Sequence, residues 1–99
     1  MGRNIPPHKE NMKIIKFGAE WCASCKVLQP IMEELILTNP SHEFIFEDVD
    51  TEKGENVAVT YKIKSLPTTV FINHCGEEIY RFSGLKNKSV IQSYIDNLS

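Results

Sequence analysis

Two cysteines separated by two residues, Cys22 and Cys25, are the side chains in this sequence best suited to chemistry. Thiols at this spacing can form a small disulfide with little backbone movement if the segment begins a helix. A strand-like run at residues 12–17 comes before them, and apolar side chains follow at the spacing of one buried helix face: Leu28, Ile31, Met32, Leu35 and Ile36. Cys22 is therefore expected at a strand-to-helix turn, where unpaired backbone N–H groups and the helix dipole favour a thiolate. The pair indicates redox chemistry.

A Cys-x-x-Cys motif also occurs in zinc sites and in haem attachment, so the motif alone leaves those alternatives open. No second motif of this kind and no His-x-x-x-His lies nearby, and Lys26 follows Cys25 where haem attachment needs a histidine. The sequence therefore predicts no metal and no bound cofactor, although a small metal- or copper-binding protein is kept as an alternative. The histidines are expected at the surface: His8, His42 and His74.

The third cysteine, Cys75, leaves an odd number of thiols in the chain. An odd number argues against a framework of structural disulfides and fits one working pair plus one spare thiol. Cys75 follows a strand-like run and precedes Gly76, so it is expected to be an incidental thiol in a hairpin turn. A regulatory or glutathionylation site is the alternative.

Length and composition indicate a single ordinary globular domain. The chain has 99 residues, a formal net charge of −2 and no basic patch, so neither nucleic acid nor a polybasic membrane anchor is expected. No apolar run approaches the ~20 residues that span a bilayer, and no secretory signal is indicated. Residues 1–11 are expected to be a flexible lead-in to a domain at 12–99, in a protein that is cytoplasmic and monomeric.

Periodicity predicts the element order β-α-β-α-β-β-α. The predicted strands are 12–17, 43–49, 68–72 and 78–82, and the predicted helices are 22–38, 55–61 and one that follows an Asn87 N-cap. The first two strands, joined by a helix, form a parallel pair, and the last two form an antiparallel hairpin. The fold class is therefore α/β with a four-stranded mixed sheet flanked by helices. Phe44 and Phe46 are expected in its core.

Taken together, these segments resemble the thioredoxin family. The resemblance covers about residues 12–98. It is carried by the segment Phe17-Gly-Ala-Glu-Trp-Cys-Ala-Ser-Cys-Lys26, by Pro30 and Asp50, by Leu66-Pro67-Thr68, and by Gly76 and Gly84. Its implication for the fold is a trimmed thioredoxin fold, because the eleven residues before the first strand are too few for the strand and helix that thioredoxins usually have there.

The resemblance also implies roles for the two cysteines. Cys22 would be the nucleophile that attacks a substrate disulfide and forms a mixed disulfide, and Cys25 would then attack Cys22 and release the reduced substrate. Trp21, Leu66, Pro67 and Gly84 would form the substrate groove, with Pro67 as the family's cis-proline. The implied function is protein-disulfide reduction, with a separate disulfide reductase as electron donor. Glutaredoxin-like, glutathione-dependent exchange and a non-catalytic binding module of the same fold are the alternatives.

Two departures from the family pattern concern the tuning of the site. Ala23-Ser24 replaces the Gly-Pro usual between the cysteines, and Ala23, Ser24 and Lys26 are expected to modulate the site. Lys16 stands where thioredoxins usually carry a buried aspartate beneath the second cysteine. As a cation it would lower the pKa of Cys25, and as a neutral amine it would act as its base. The alternative is that Lys16 pairs with Glu20 or Glu47, or extends outward, without a catalytic role.

Overall fold

The structure, a computed structural model, describes residues 11–99. Its strands are β1 (Lys13–Gly18), β2 (Glu43–Asp48), β3 (Thr68–Ile72) and β4 (Glu78–Ser83). Its helices are α1 (Ala23–Thr38), α2 (Glu52–Thr60) and α3 (Lys88–Leu98). The predicted element order and the α/β class with a four-stranded mixed sheet are confirmed. His8 and most of the expected N-terminal lead-in lie outside the described residues.

The four strands form one sheet in the order β2-β1-β3-β4. β1 runs parallel to β2 and antiparallel to β3, and β3 runs antiparallel to β4. In this register Lys16 lies opposite Phe46 on one side and Thr69 on the other, so these three side chains share a face of the sheet. The end of β1 that leads to the cysteines lies beside the start of β3.

Each face of the sheet buries a different apolar cluster. α1 and α3 cover one face, where the buried side chains are Met12, Ile14, Leu28, Met32, Leu35, Phe71, Phe82, Ile91 and Ile95. α2 covers the other face, where Val57, Ala58 and Tyr61 pack against Ile15, Phe17, Val70 and Ile72. Both central strands are thus buried on both faces, which holds the end of β1 rigidly beneath the start of α1.

Apart from one-residue shifts at the ends of elements, the structure differs from the predicted elements and core at two points. α2 begins at Glu52, three residues before the predicted start, because the Thr51 side chain caps it by accepting the Gly54 N–H. A Cβ on Gly54 would lie 1.8 Å from the Asp48 carbonyl oxygen, so only glycine allows this turn of helix to approach β2 so closely. The expectation that Phe46 is core is wrong. Its side chain is 38% exposed, because β2 is an edge strand, whereas Phe44 packs against the apolar cluster.

Candidate redox site

Cys22 occupies the N-cap of α1 and is joined to Cys25 by a disulfide. The backbone at Cys22 is extended (φ −96°, ψ 109°), and its Sγ accepts a hydrogen bond from the Cys25 N–H at 3.3 Å. The next residues are helical, so the two Cα atoms lie only 5.3 Å apart. The predicted strand-to-helix turn therefore exists and brings the two sulfurs together.

The surroundings of the Cys22 sulfur suit a negative charge. The first turn of α1 contains no acidic residue to oppose the helix dipole. The Ser24 hydroxyl lies 3.6 Å from the Cys22 sulfur and can turn its hydrogen toward it. Together with the Cys25 N–H, this gives a thiolate at Cys22 two nearby donors. Both cysteines are buried, with 8% of Cys22 and 3% of Cys25 exposed, and Cys25 lies deeper.

Trp21 lies on the surface next to the disulfide. Its indole is 70% exposed, and Nε1 donates a 2.9 Å hydrogen bond to Asp50 Oδ2. Asp50 follows β2, so this bond connects the loop before α1 with the loop after the neighbouring strand. The contact fixes a large apolar ring beside Cys22 where a substrate can reach it, and Trp21 is not a core side chain.

The segment Leu66-Pro67, which the resemblance assigned to the substrate groove, lies against the two cysteines. The Leu66–Pro67 peptide bond is cis, as the family resemblance implied, and Pro67 is fully buried. Leu66 packs against the cluster formed by Ala19, Cys22 and Cys25. Gly84, with φ +85°, donates its N–H to the Pro67 carbonyl at 2.8 Å. Within residues 11–99 the main-chain N–H and C=O of Leu66 make no hydrogen bond, so they are available to a bound segment.

Lys16 is buried beneath α1, with 6% of its surface exposed. Its Nζ donates to Gln29 Oε1 at 2.5 Å and lies 5.4 Å from the centre of the Phe46 ring. Burial lowers the pKa of Lys16, and the negative charge of Glu33 partly opposes that effect.

The alternative that Lys16 pairs with Glu20 or Glu47 is wrong. Among the described residues it forms no ion pair with either, and Glu47 binds Lys53 at 3.1 Å instead. The alternative that it extends outward is also wrong, because its side chain stays buried.

A cavity of about 260 Å³ lies between Lys16 and Cys25, and both side chains line it. A Cβ on Gly18 would lie 3.2 Å from Cys25 Sγ and 3.5 Å from Lys16 Nζ, so the sulfur and the amine border the same small space above Gly18. Gln29 and Glu47 also line this cavity, and sequence reasoning missed the part that Gln29 plays there. The only sequence signal for this role of Gln29 was its polar side chain at a position next to the apolar stripe of α1.

The remaining sequence candidates fall in two places. Ala23 and Lys26 are exposed on the first turn of α1, where the Lys26 N–H donates to the Cys22 carbonyl at 3.2 Å. Cys75 is exposed in the turn between β3 and β4, with its sulfur 3.4 Å from His74 Nε2. That turn lies at the end of the sheet opposite Cys22, because β3 runs antiparallel to β1. Cys75 is therefore not part of the redox site.

Residues 11–99 contain no group of three or more His, Cys, Asp or Glu side chains that could hold a metal ion. In the same range, no helix has the length and apolar character needed to cross a membrane.

Comparison with known proteins decides the family. A family model described as Thioredoxin matches residues 5–97. The chain belongs to the thioredoxin family. It is 30% identical over 95 residues to thioredoxin-1 of Caenorhabditis elegans, covering 96% of this chain and 80% of that protein. It is 24% identical over 91 residues to a mitochondrial thioredoxin of Mus musculus, covering 92% of this chain and 54% of that protein.

A solved structure shows the same fold at higher identity. Fasciola hepatica thioredoxin matches with a TM-score of 0.78 and 36% identity, covering 88% of this chain and 80% of that one. Thioredoxins are protein-disulfide oxidoreductases, and the Cys22–Cys25 disulfide lies at the start of α1. The protein is therefore a thiol–disulfide oxidoreductase. Nothing in these similarities favours glutathione-dependent exchange.

Proposed function

We propose that this thioredoxin works as a reductant of protein disulfides, with Cys22 as the attacking sulfur and Cys25 as the resolving one. The observation that carries the proposal is the position of Cys22 at the N-cap of α1, directly above the more deeply buried Cys25. A helix N-terminus stabilises a thiolate, and the thiolate is the reactive form of cysteine. The less buried cysteine is the one that a bulky protein disulfide can approach.

The exchange transfers two electrons from the dithiol to the substrate. The Cys22 thiolate attacks one sulfur of the substrate disulfide, and the other substrate sulfur leaves as a thiolate that takes up a proton. The Cys25 thiolate then attacks Cys22 Sγ and breaks the mixed disulfide. The second substrate sulfur leaves, and Cys22 and Cys25 are left oxidised, as in the structure.

The substrate-binding surface in this proposal consists of Trp21, Leu66, Pro67 and Gly84. Trp21 and Leu66 supply apolar contact on either side of Cys22. The Leu66 main chain, without a partner of its own in the described residues, can pair with an extended substrate segment as an added strand does. The Pro67 carbonyl is already occupied by Gly84, so Pro67 and Gly84 shape the surface but do not pair with the substrate.

The residues around the cysteines tune the exchange. The Ser24 hydroxyl stabilises the Cys22 thiolate from 3.6 Å, and Lys26 adds a positive charge beside the mouth of the cavity. Ala23 leaves the approach to Cys22 open because it is small and exposed. A single dipeptide change in such a site can alter the reduction potential, and about 30 mV corresponds to about 1.4 kcal/mol for the two-electron couple.

The cellular setting in the proposal is the cytoplasm, with a separate disulfide reductase as electron donor. Support comes from the exposed Cys75 thiol, which suits a reducing compartment. The protein would act as a monomer, because both cysteines and all four residues of the proposed substrate surface come from one chain. It would need neither metal nor bound cofactor, because the electrons travel in the cysteine pair.

The proposal is tested by reduction of a protein disulfide under conditions where only the reduced protein supplies electrons. We expect Cys22→Ser to abolish thiol release from the substrate, because the attacking sulfur is gone. The matched control, Cys75→Ser, removes a thiol at the far end of the sheet and is expected to leave the rate unchanged. Retention of activity by Cys22→Ser, or its loss in Cys75→Ser, would contradict the assignment. A reaction that requires added glutathione would favour the glutaredoxin-like alternative.

A further inference from the structure

We propose that the ammonium group of Lys16 stabilises the thiolate of Cys25 while Cys25 resolves the mixed disulfide, and that Gln29 positions this ammonium group. The inference deepens the exchange reaction proposed above and rests on it. Its first basis is proximity. Lys16 and Cys25 line one cavity, and the Gly18 backbone separates them by so little that a single added Cβ would contact both groups. Such a Cβ would be in tight contact with the sulfur and in ordinary van der Waals contact with the amine.

The second basis is that Lys16 has no ion-pair partner among the described residues, since the charge of the exposed Glu33 acts on it only from beyond Gln29. Its ammonium group is buried, yet no carboxylate in residues 11–99 lies within ion-pair distance of it. Its contacts are a neutral amide, Gln29, and the face of an aromatic ring, Phe46. A buried cation without an anionic partner is destabilising. In the reduced protein, a thiolate at Cys25 would supply the missing negative charge across the cavity.

The third basis is a chain of contacts that holds Lys16 in place. The Gln29 carbonyl oxygen accepts from Lys16, while the Gln29 amide nitrogen donates to Glu33 Oε2 at 3.1 Å. The two partners fix the orientation of the amide, because reversing it would place a donor against the ammonium group and an acceptor against the carboxylate. Gln29 and Glu33 lie one turn apart on α1, the helix that carries Cys25. The same helix thus positions the sulfur and its cation.

Resolution of the mixed disulfide by Cys25 requires no proton transfer to or from Lys16, which stays charged throughout. The Cys25 thiol loses its proton to solvent through the cavity, which is large enough to hold water. The resulting thiolate is stabilised by the Lys16 ammonium group as it attacks Cys22 Sγ. The Cys22–Cys25 bond forms as the bond between Cys22 and the substrate breaks, and the departing substrate sulfur takes up a proton from solvent.

Other charged groups line the cavity, and each is expected to affect the Cys25 thiolate less than Lys16 does. They are Glu20 before α1, Lys26 on α1, and Glu47 and Asp48 on β2. Glu20, Lys26 and Asp48 are exposed, as is Glu33 beyond Gln29, so water and salt screen them. Glu47 is buried but already paired with Lys53. The Thr69 hydroxyl, opposite Lys16 on β3, carries no charge. Lys16 is thus the buried unpaired charge beside Cys25.

The test measures the pKa of Cys25 directly. In a Cys22→Ser, Cys75→Ser background, Cys25 is the only thiol, and its thiolate absorbance is followed as pH is varied. We expect Lys16→Met to raise the pKa of Cys25 by about 1 unit or more, because an opposite charge in close range is removed. Lys13→Met is the matched control. It removes the same charge from an exposed position on the same strand, and we expect it to leave that pKa unchanged.

The kinetics give a second readout that a purely structural role would not alter. With a pKa one unit higher, the thiolate fraction falls about tenfold near neutral pH, but the thiolate becomes about threefold more nucleophilic, so resolution should slow about threefold. At a pH above both thiol pKa values the order should reverse, with Lys16→Met about threefold faster, because both thiols are then fully ionised and only their nucleophilicity differs. Gln29→Leu should raise the pKa in the same direction by a smaller amount.

An unchanged Cys25 pKa in folded Lys16→Met would overturn the proposal, and an unchanged pKa in Gln29→Leu would overturn the part about positioning. Methionine is apolar and of similar length, so Lys16→Met is expected to fold, and circular dichroism checks this. Failure of the wild-type protein to reduce protein disulfides would instead contradict the proposed function. The pKa experiment does not depend on that activity, so the two failures are distinguishable.

Discussion

At the scale of single residues, the two sulfurs of the redox pair lie in different environments. Cys22 caps a helix next to the exposed Trp21, whereas the more deeply buried Cys25 lines a cavity together with the buried Lys16. Helix-terminal N–H groups stabilise charge on the first sulfur, and the proposal assigns the Lys16 cation to the second. One residue type thus serves two roles because its surroundings differ.

The buried charge at Lys16 has a consequence for stability that can be measured. Its pKa is lower in the folded protein than in the unfolded chain, so the unfolded state binds more protons between the folded pKa and the ordinary lysine value. Protonated Lys16 therefore opposes folding at neutral pH, and this penalty is lost as pH rises toward that value. We expect Lys16→Met to unfold at a higher denaturant concentration than wild type at pH 7. Its free energy of unfolding should be larger by on the order of 1 kcal/mol.

The pH dependence checks the assignment of that effect. The stability difference between Lys16→Met and wild type, measured by denaturant unfolding of the oxidised proteins, should shrink as pH is raised toward 10. Lys13→Met, which removes an exposed charge from the same strand, should show little difference at any pH. A difference that stays constant with pH would mean that methionine packs better for reasons unrelated to charge.

At the scale of elements, β3 contains a polar side chain without a partner. Thr69 is fully buried, and its hydroxyl makes no hydrogen bond to any part of the chain that the structure describes. It lies opposite Lys16 in β1 and Phe82 in β4, on the face covered by α1 and α3. A buried hydroxyl without a partner destabilises a fold relative to an apolar group of the same shape.

Thr69→Val should therefore stabilise the protein. Valine keeps the β-branched shape that suits a strand and removes the unpaired hydroxyl, so we expect a gain of roughly 1 kcal/mol. For a domain of this size, such a gain raises Tm by about 4–8 °C. Thermal unfolding of the oxidised protein measures it, with Thr68→Val as the matched control. Thr68 donates to the Ser65 carbonyl at 2.7 Å, and its replacement should destabilise. A loss of stability in Thr69→Val would show that its hydroxyl has a partner.

The elements also show what the sequence could predict. Strands, helices and the Asn87 cap of α3 follow from apolar periodicity and capping residues, which are local signals. The start of α2 was missed because Thr51 and Gly54 define it through a cap and a close backbone contact, before any apolar side chain appears. The prediction for Phe46 failed because strand alternation cannot show how far a helix covers an edge strand.

At the scale of the whole molecule, the fold gathers its working residues from three distant segments. The Trp21–Cys25 turn, the Leu66–Pro67 bond and Gly84 meet at one end of the sheet because β1 and β3 are antiparallel neighbours. The family resemblance predicted this meeting. It did not predict that Gln29 would bind Lys16, because a contact between side chains 13 residues apart on a helix and a strand leaves no periodic signal.

The central claim is that Cys22 is the sulfur that attacks substrate and Cys25 is the sulfur that resolves the product. The most direct measurement is to incubate reduced Cys25→Ser with a disulfide-containing protein and to locate the linked cysteine by mass spectrometry of peptides. Without its resolving sulfur, the protein should accumulate a stable mixed disulfide at Cys22, and wild type should not. A mixed disulfide at Cys75, or none at Cys22, would contradict the account.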